Sequence, residues 1–148
     1  MSIDAKVTKE LMQTLEDGKE GFAKGADKLA ATNVSELAET FRALSAQRAQ
    51  FSTELEAMAA GYGDEIDESG TVVGTLHRGW MTLKDALAGD DPQGVLDVAE
   101  QGEDHAVKEY EKALGEDLSA GLRTVVERQA AEVRAAHDRV QALREAHT

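Results

Sequence analysis

Residues 35–62 read SELAETFRALSAQRAQFSTELEAMAAGY, and a single stripe runs through them: Leu37, Phe41, Leu44, Arg48, Phe51, Leu55, Met58 and Tyr62. The steps alternate between four and three throughout, which places these side chains on one face of an α-helix. All members of that face are apolar or aromatic except one, Arg48. A helix of this kind needs neighbours that cover the stripe, and one of them must supply a partner for the cation.

Working outward from this helix, the same spacing recurs on both sides. Upstream, residues 4–31 carry Val7, Leu11, Leu15, Gly18, Phe22, Ala26 and Leu29 at steps of three or four. Thr32-Asn33 breaks the pattern, and Asn33 followed by Glu36 has the reciprocal capping spacing that starts a helix. Gly18, Gly21 and Gly25 disfavour an isolated helix. They point to close helix approach, beside Phe22, Phe41 and Phe51. Downstream, residues 61–70 read as an acidic loop, and residues 71–87 as a shorter helix with Val73, Leu76, Trp80, Leu83 and Leu87 on one stripe. Gly89-Asp90-Asp91-Pro92 closes that helix and opens the next, because Asp caps helices and Pro suits the first turn. Residues 92–114 then place Leu96, Ala99, Glu103, Ala106, Tyr110 and Ala113 at seam spacing, with a glutamate among them. After a turn, residues 119–146 show Leu122, Val126, Gln129, Val133, Ala136, Val140 and Leu143.

Four long helices with short turns inside each pair predict an all-α four-helix bundle of two antiparallel hairpins. The piece joining the hairpins is long. Its helix of residues 71–87 would reach roughly 25 Å at about 1.5 Å per residue, which suits a crossover of the ferritin-like kind. The alternative is one kinked helix over residues 71–114. The 148 residues form one expected domain, 1–148.

Composition narrows the functional classes. The formal net charge of −13 disfavours nucleic acid and anionic membrane surfaces, both of which need clustered Lys and Arg. No run approaches a membrane span, and the first ten residues lack the apolar core of a signal peptide, so a cytoplasmic setting is expected. There are no cysteines, which excludes disulfides, thiolate catalysis and Cys-ligated metal. No phosphate-binding glycine loop follows a strand, and no serine sits in a nucleophile elbow. No catalytic residues are therefore assigned.

Counting from the turns places the polar seam residues at one height. Asp17 and Arg48 lie about fifteen residues from the first turn, and Glu103, Gln129 and Glu132 similarly far from the turn near Asp117, which at 1.5 Å per residue is one level. The expectation is a buried polar layer of Asp17, Arg48, Glu103, Gln129 and Glu132, with Arg48 facing Glu103. A lone buried arginine would be badly solvated, so the pairing follows from the burial.

A bundle di-iron centre would need Glu-x-x-His on two helices. The residues three before His77, His105, His137 and His147 are Gly74, Gly102, Arg134 and Arg144, so that motif is missing. Arg48 also puts a positive charge where cations would sit. No cofactor is expected. An atypical iron, manganese or zinc site is the alternative, drawn from Glu103, His105, Glu109, Glu132 and His137. His77, Arg78 and Trp80 form a further candidate, a pocket beside the crossover.

Segments of the chain resemble a known family. They are Leu15-Glu16-Asp17-Gly18 with Gly21-Phe22; then Phe41, Arg48 and Phe51; Gly74-Thr75-Leu76-His77-Arg78-Gly79-Trp80; Gly102-Glu103-Asp104 with Tyr110; and Gln129 with His137-Asp138. They look like an uncharacterised bacterial four-helix-bundle family, a domain of unknown function of the ferritin-like superfamily. The resemblance implies that fold and a bacterial cytoplasmic setting, and supplies no activity. More distantly the chain resembles ferritin-like stress proteins. The leading expectation is a non-enzymatic, self-associating, stress-related bundle, a homo-oligomer with a structural Arg48–Glu103 layer. The rivals are a metal-binding or oxidoreductase ferritin-like protein and a small-molecule or protein-binding module using His77, Arg78 and Trp80.

Overall fold

The computed structural model describes residues 2–61 and 91–147. The described residues form α1 (Ile3–Ala31), α2 (Ser35–Ala59), α3 (Pro92–Leu114) and α4 (Ala120–Ala146). The anticipated helix of residues 71–87, with His77, Arg78 and Trp80, lies outside the described residues, as does Tyr62 at the end of the opening stripe.

Each boundary has a local cause. The Ser2 hydroxyl accepts from the Ala5 N–H at 3.1 Å and caps α1, with Asp4 in the first turn favouring the positive helix end. Asp91 caps α3 through the Gln93 N–H at 3.0 Å, and Pro92 follows at the first helical position, so α3 starts afresh there. Arg123 at the start of α4 folds back, donating to the carbonyls of Leu114 and Glu116 at 3.1 and 2.6 Å. The Ser119 N–H donates to Asp4 Oδ1 at 3.0 Å and ties the same turn to the start of α1.

The α1–α2 turn corrects the expected capping box. Asn33 does not cap α2: the residue before that helix is Val34, which makes no side-chain cap. Asn33 instead ends α1, in the left-handed region at φ 65°. The Val34 N–H bonds the Leu29 carbonyl at 2.9 Å and the Asn33 N–H bonds that of Ala30 at 3.2 Å. That nested pair is a Schellman closure, and Val34 packs on the apolar cluster containing Leu29 as such closures favour. Asparagine suits both roles, and here the left-handed backbone requirement decided between them.

Helix directions follow from contacts. Glu10 on α1 meets Lys112 on α3 at 3.2 Å, while Gly25 lies against Val95, so α1 and α3 are antiparallel. Arg128 on α4 pairs with Glu54 on α2 and Arg139 reaches Thr40, so α2 and α4 are antiparallel too. The packed neighbours are α1 with α2, α2 with α4, α4 with α3, and α3 with α1. The helices therefore stand at the corners of a square, and α2 and α3 run parallel across one diagonal. The chain leaves α2 at one end of the bundle and enters α3 at the other.

The core falls into two apolar clusters. One, at the end holding the α1–α2 turn, centres on Phe22, Leu29, Phe41, Val95, Leu96 and Val140. The other, at the α3–α4 turn, centres on Leu11, Leu15, Leu55, Tyr110, Leu122 and Val126. The Phe22 and Phe41 rings meet edge to face, with centroids 5.2 Å apart. A methyl group on Gly25 would stand 2.9 Å from Phe41 Cδ2, so this glycine marks the close approach that the glycine spacing implied. Among the described residues, no helix is long and apolar enough to cross a membrane.

The turn chemistry gives a test. Asn33→Gly should leave stability unchanged or raise it by a few tenths of a kcal/mol, whereas Asn33→Val should lower it by about 1–2 kcal/mol, because a branched side chain opposes the left-handed backbone. Urea denaturation of the two variants beside the parent measures both.

Candidate functional site

Arg48 comes from the middle of α2, where the four-three stripe carries it inward together with Phe41, Leu44 and Phe51. Glu103 comes from the middle of α3, on the stripe of Leu96, Ala99, Ala106 and Tyr110. The two helices lie on a diagonal, so the side chains reach across the bundle centre rather than along a seam. Arg48 Nη1 donates to Glu103 Oε1 and Nη2 to Oε2, each at 2.6 Å. This is the two-pronged geometry that suits a planar guanidinium and a carboxylate. Arg48 is 1% exposed and Glu103 0%, so the pair is sealed from water.

The surroundings fit the cation. The Arg48 Nε donates to Gln47 Oε1 at 3.2 Å. The guanidinium carbon stands 5.3 Å from the centre of the Phe22 ring, within range of a cation–π attraction. Gly18 on α1 makes the room: a Cβ there would lie 3.3 Å from Nη1 and 3.5 Å from Cγ. Burial opposes the charge on Arg48, but the attraction and hydrogen bonds of Glu103 outweigh it and raise its pKa. The pair thus lies between the two apolar clusters as a charged septum of the core.

A second buried polar contact lies nearer the α3–α4 turn. The Tyr110 hydroxyl donates to Gln129 Oε1 at 2.7 Å, and Gln129 Nε2 donates to the Phe51 carbonyl at 3.3 Å and to Glu54 Oε1 at 3.2 Å. Burial pushes the Tyr110 phenol well above its ordinary range, which keeps it a neutral donor. Gln129 therefore joins α4 to both α2 and α3.

These positions revise the single expected layer. Arg48 and Glu103 meet as anticipated, and Asp17 and Gln129 are buried at 3% and 0% exposure. Asp17 accepts from Gln13 on its own helix at 3.1 Å. Gln129, however, stands at the height of Tyr110, seven residues and about 10 Å along α3 from Glu103. The level of Glu103 on α4 is instead close to His137, which contacts Asp104. The turn before α4 displaces the pairing, because Leu118 dips into the core at 7% exposure and α4 begins only at Ala120. Glu132 is not buried at all. It is exposed and pairs with Arg128 at 3.4 Å. The inward stripe passes from Gln129 to Val133, and Glu132 falls about 60° off that line at about 100° per residue.

The residues proposed for an atypical metal site are also dispersed. Glu103 is consumed by Arg48, Glu132 faces outward, and His137 is held by Asp104 and Asp138. Glu109 lines a cleft between α1 and α3 with Glu10, Lys112 and Glu116, whose water-accessible volume is about 10 Å³. His105, on the same helix, is half-buried. Among the described residues, no group of three or more His, Asp or Glu side chains converges as a metal site would require. The His77, Arg78 and Trp80 candidate lies outside the described residues. A wider cleft of about 530 Å³ opens between α2 and α4, edged by Glu36 and Glu39 on one side and Arg139 and His147 on the other.

Stripe reading could not find the His137 contacts or the Tyr110–Gln129 hydrogen bond. His137 stood next to the inward Ala136, and Tyr110 read as an ordinary seam aromatic; only the register of α3 against α4 brings their partners into reach.

The pair predicts a mutational cycle. Glu103→Leu alone should cost about 3–5 kcal/mol, because it strands a buried cation, while Arg48→Met with Glu103→Leu should return to within about 1 kcal/mol of the parent or exceed it. Denaturation curves of the singles and the double give the coupling.

A comparison with curated proteins returns no match. A family model matches residues 5–116, which takes in α1, α2 and α3 with Gly18, Arg48, Glu103 and Tyr110, and stops short of α4. By that match, covering most of its length, the chain belongs to the family described as Domain of unknown function (DUF2383).

Proposed function

We propose that this protein is a non-enzymatic, self-associating helical bundle whose central charge pair is structural. The observation that carries the reading is the closed Arg48–Glu103 contact. Each carboxylate oxygen of Glu103 already takes a guanidinium hydrogen, at 2.6 Å, and the pair is sealed from solvent. A reactive group needs access to a substrate, and this enclosed pair offers none. What such a pair does well is fix which helices meet and in what register, since any slip strands two buried charges.

The proposal includes descent from the ferritin-like superfamily. Its support is the resemblance of the glycine, arginine and Gly-Glu-Asp segments, together with the parallel run of α2 and α3, which puts Ala59 and Pro92 at opposite ends of the bundle. In a ferritin-like bundle the centre holds metal, and here a protein cation takes that place. A cytoplasmic, stress-associated role and assembly into a homo-oligomer belong to the same reading and rest on that resemblance. The net charge of −13 favours partners other than nucleic acid or anionic lipid.

Elemental analysis of protein purified without chelators tests this directly. The expected result is no stoichiometric iron, manganese or zinc, with light scattering during size exclusion giving a multiple of the chain mass. Stoichiometric metal that disappears in Glu103→Ala would replace this reading with a metal-binding one, and a strictly monomeric species would remove self-association from it.

A further inference from the structure

Among the described residues, three basic side chains of α4 tie it to α3: Arg134 meets Glu111, His137 meets Asp104, and Arg144 meets both Glu100 and Asp97. The outer two are arginines, which keep their charge throughout the range in which proteins fold. The middle one is a histidine, whose charge changes near neutrality.

The geometry at that middle rung is specific about protonation. His137 Nε2 lies 2.5 Å from Asp104 Oδ1 on α3, and Nδ1 lies 3.0 Å from Asp138 Oδ1 on its own helix. An ionised carboxylate only accepts hydrogen bonds, and a neutral imidazole has one N–H to donate. Both contacts are hydrogen bonds together only when the ring carries both protons. The histidine side chain is 15% exposed, so the packed ring has little freedom to turn toward water instead.

We propose that His137 is a protonation-dependent clasp between α3 and α4: as an imidazolium it bridges Asp104 and Asp138, and as a neutral ring it holds only one of them. The charged groups acting on it are Asp104 from α3 and Asp138 from α4. Burial works against the charged ring, but the hydrogen bonds to Asp138 and Asp104 outweigh it and the net shift is upward. A histidine whose folded pKa is raised contributes stability that is complete below its ordinary value of about 6.5 and is lost as pH rises through the folded value. The clasp therefore opens on the alkaline side. The Arg134 and Arg144 contacts remain closed on either side of it, so loosening is confined to the middle of the hairpin. This inference is independent of the function proposed above.

Ring ¹⁵N NMR of the full chain tests it, with His137 assigned by His137→Gln. The expected result is a midpoint above about 6.5, both ring nitrogens protonated at neutral pH, and a lower midpoint in Asp104→Asn. Raising the pH through that midpoint should lower the urea midpoint of the parent more than that of His137→Gln. A midpoint at or below the ordinary value would overturn the clasp. So would a midpoint that Asp104→Asn leaves in place, including one lowered only by Asp138→Asn, which would make the contact local to α4. An equal pH response of the urea midpoint in parent and His137→Gln would overturn it as well.

Discussion

Two opposite charges enclosed at the centre of four helices set the terms for the rest of this bundle. Arg48 and Glu103 are closed to solvent, so the charge of each is balanced by the other. They also sit on diagonal helices, which makes the pair sensitive to every packing decision in the molecule. Sliding either hairpin by a turn, about 5.4 Å, would part the charges. Gly18 leaves room for the guanidinium, since a Cβ there would press on Nη1 at 3.3 Å, and Phe22 offers its ring face to the same group. The apolar clusters on either side provide the driving force for folding, and the pair selects which packing of those clusters is allowed.

This division of labour explains why so much of the fold was legible. Apolar steps of three and four identify the helices, and a hydrophobic seam broken by one arginine in α2 and one glutamate in α3 already implies that the two meet. Heights were legible only in the first hairpin, where the turn is short and the helices are nearly flush. In the second, Leu118 is drawn into the core before α4 starts, and the register moves. That displacement carried Gln129 to the level of Tyr110 and put His137 beside Asp104. Glu132 was misplaced for a simpler reason: the inward line steps by four from Gln129, and a residue three along already faces water. Asn33 shows a third limit, because one residue type serves both to start a helix and to end one, and only the backbone angle separates the two.

Charge is distributed unevenly between the centre and the surface. The chain is strongly acidic, yet the interhelical contacts of α4 draw on Arg128, Arg134, His137 and Arg144, which meet carboxylates on α2 and α3. Exposed pairs of this kind are individually weak, because water screens their charges. Their common placement on the last helix nevertheless holds α4 against both neighbours. The family match covers residues 5–116, and the cations of these contacts stand beyond it on α4. Fold alone does not assign a function. Here the centre of the fold bears on function because its occupant is a completed ion pair.

The state of the Arg48 guanidinium is the most direct test of that view. Nitrogen-detected NMR of the arginine side chains distinguishes a locked, sealed guanidinium from one that rotates and exchanges with water. A two-pronged buried pair predicts separate Arg48 Nη signals with slowly exchanging protons, collapsing to a single averaged signal in Glu103→Ala. One averaged, fast-exchanging Arg48 signal in the parent protein would contradict the enclosed pair and the account built on it.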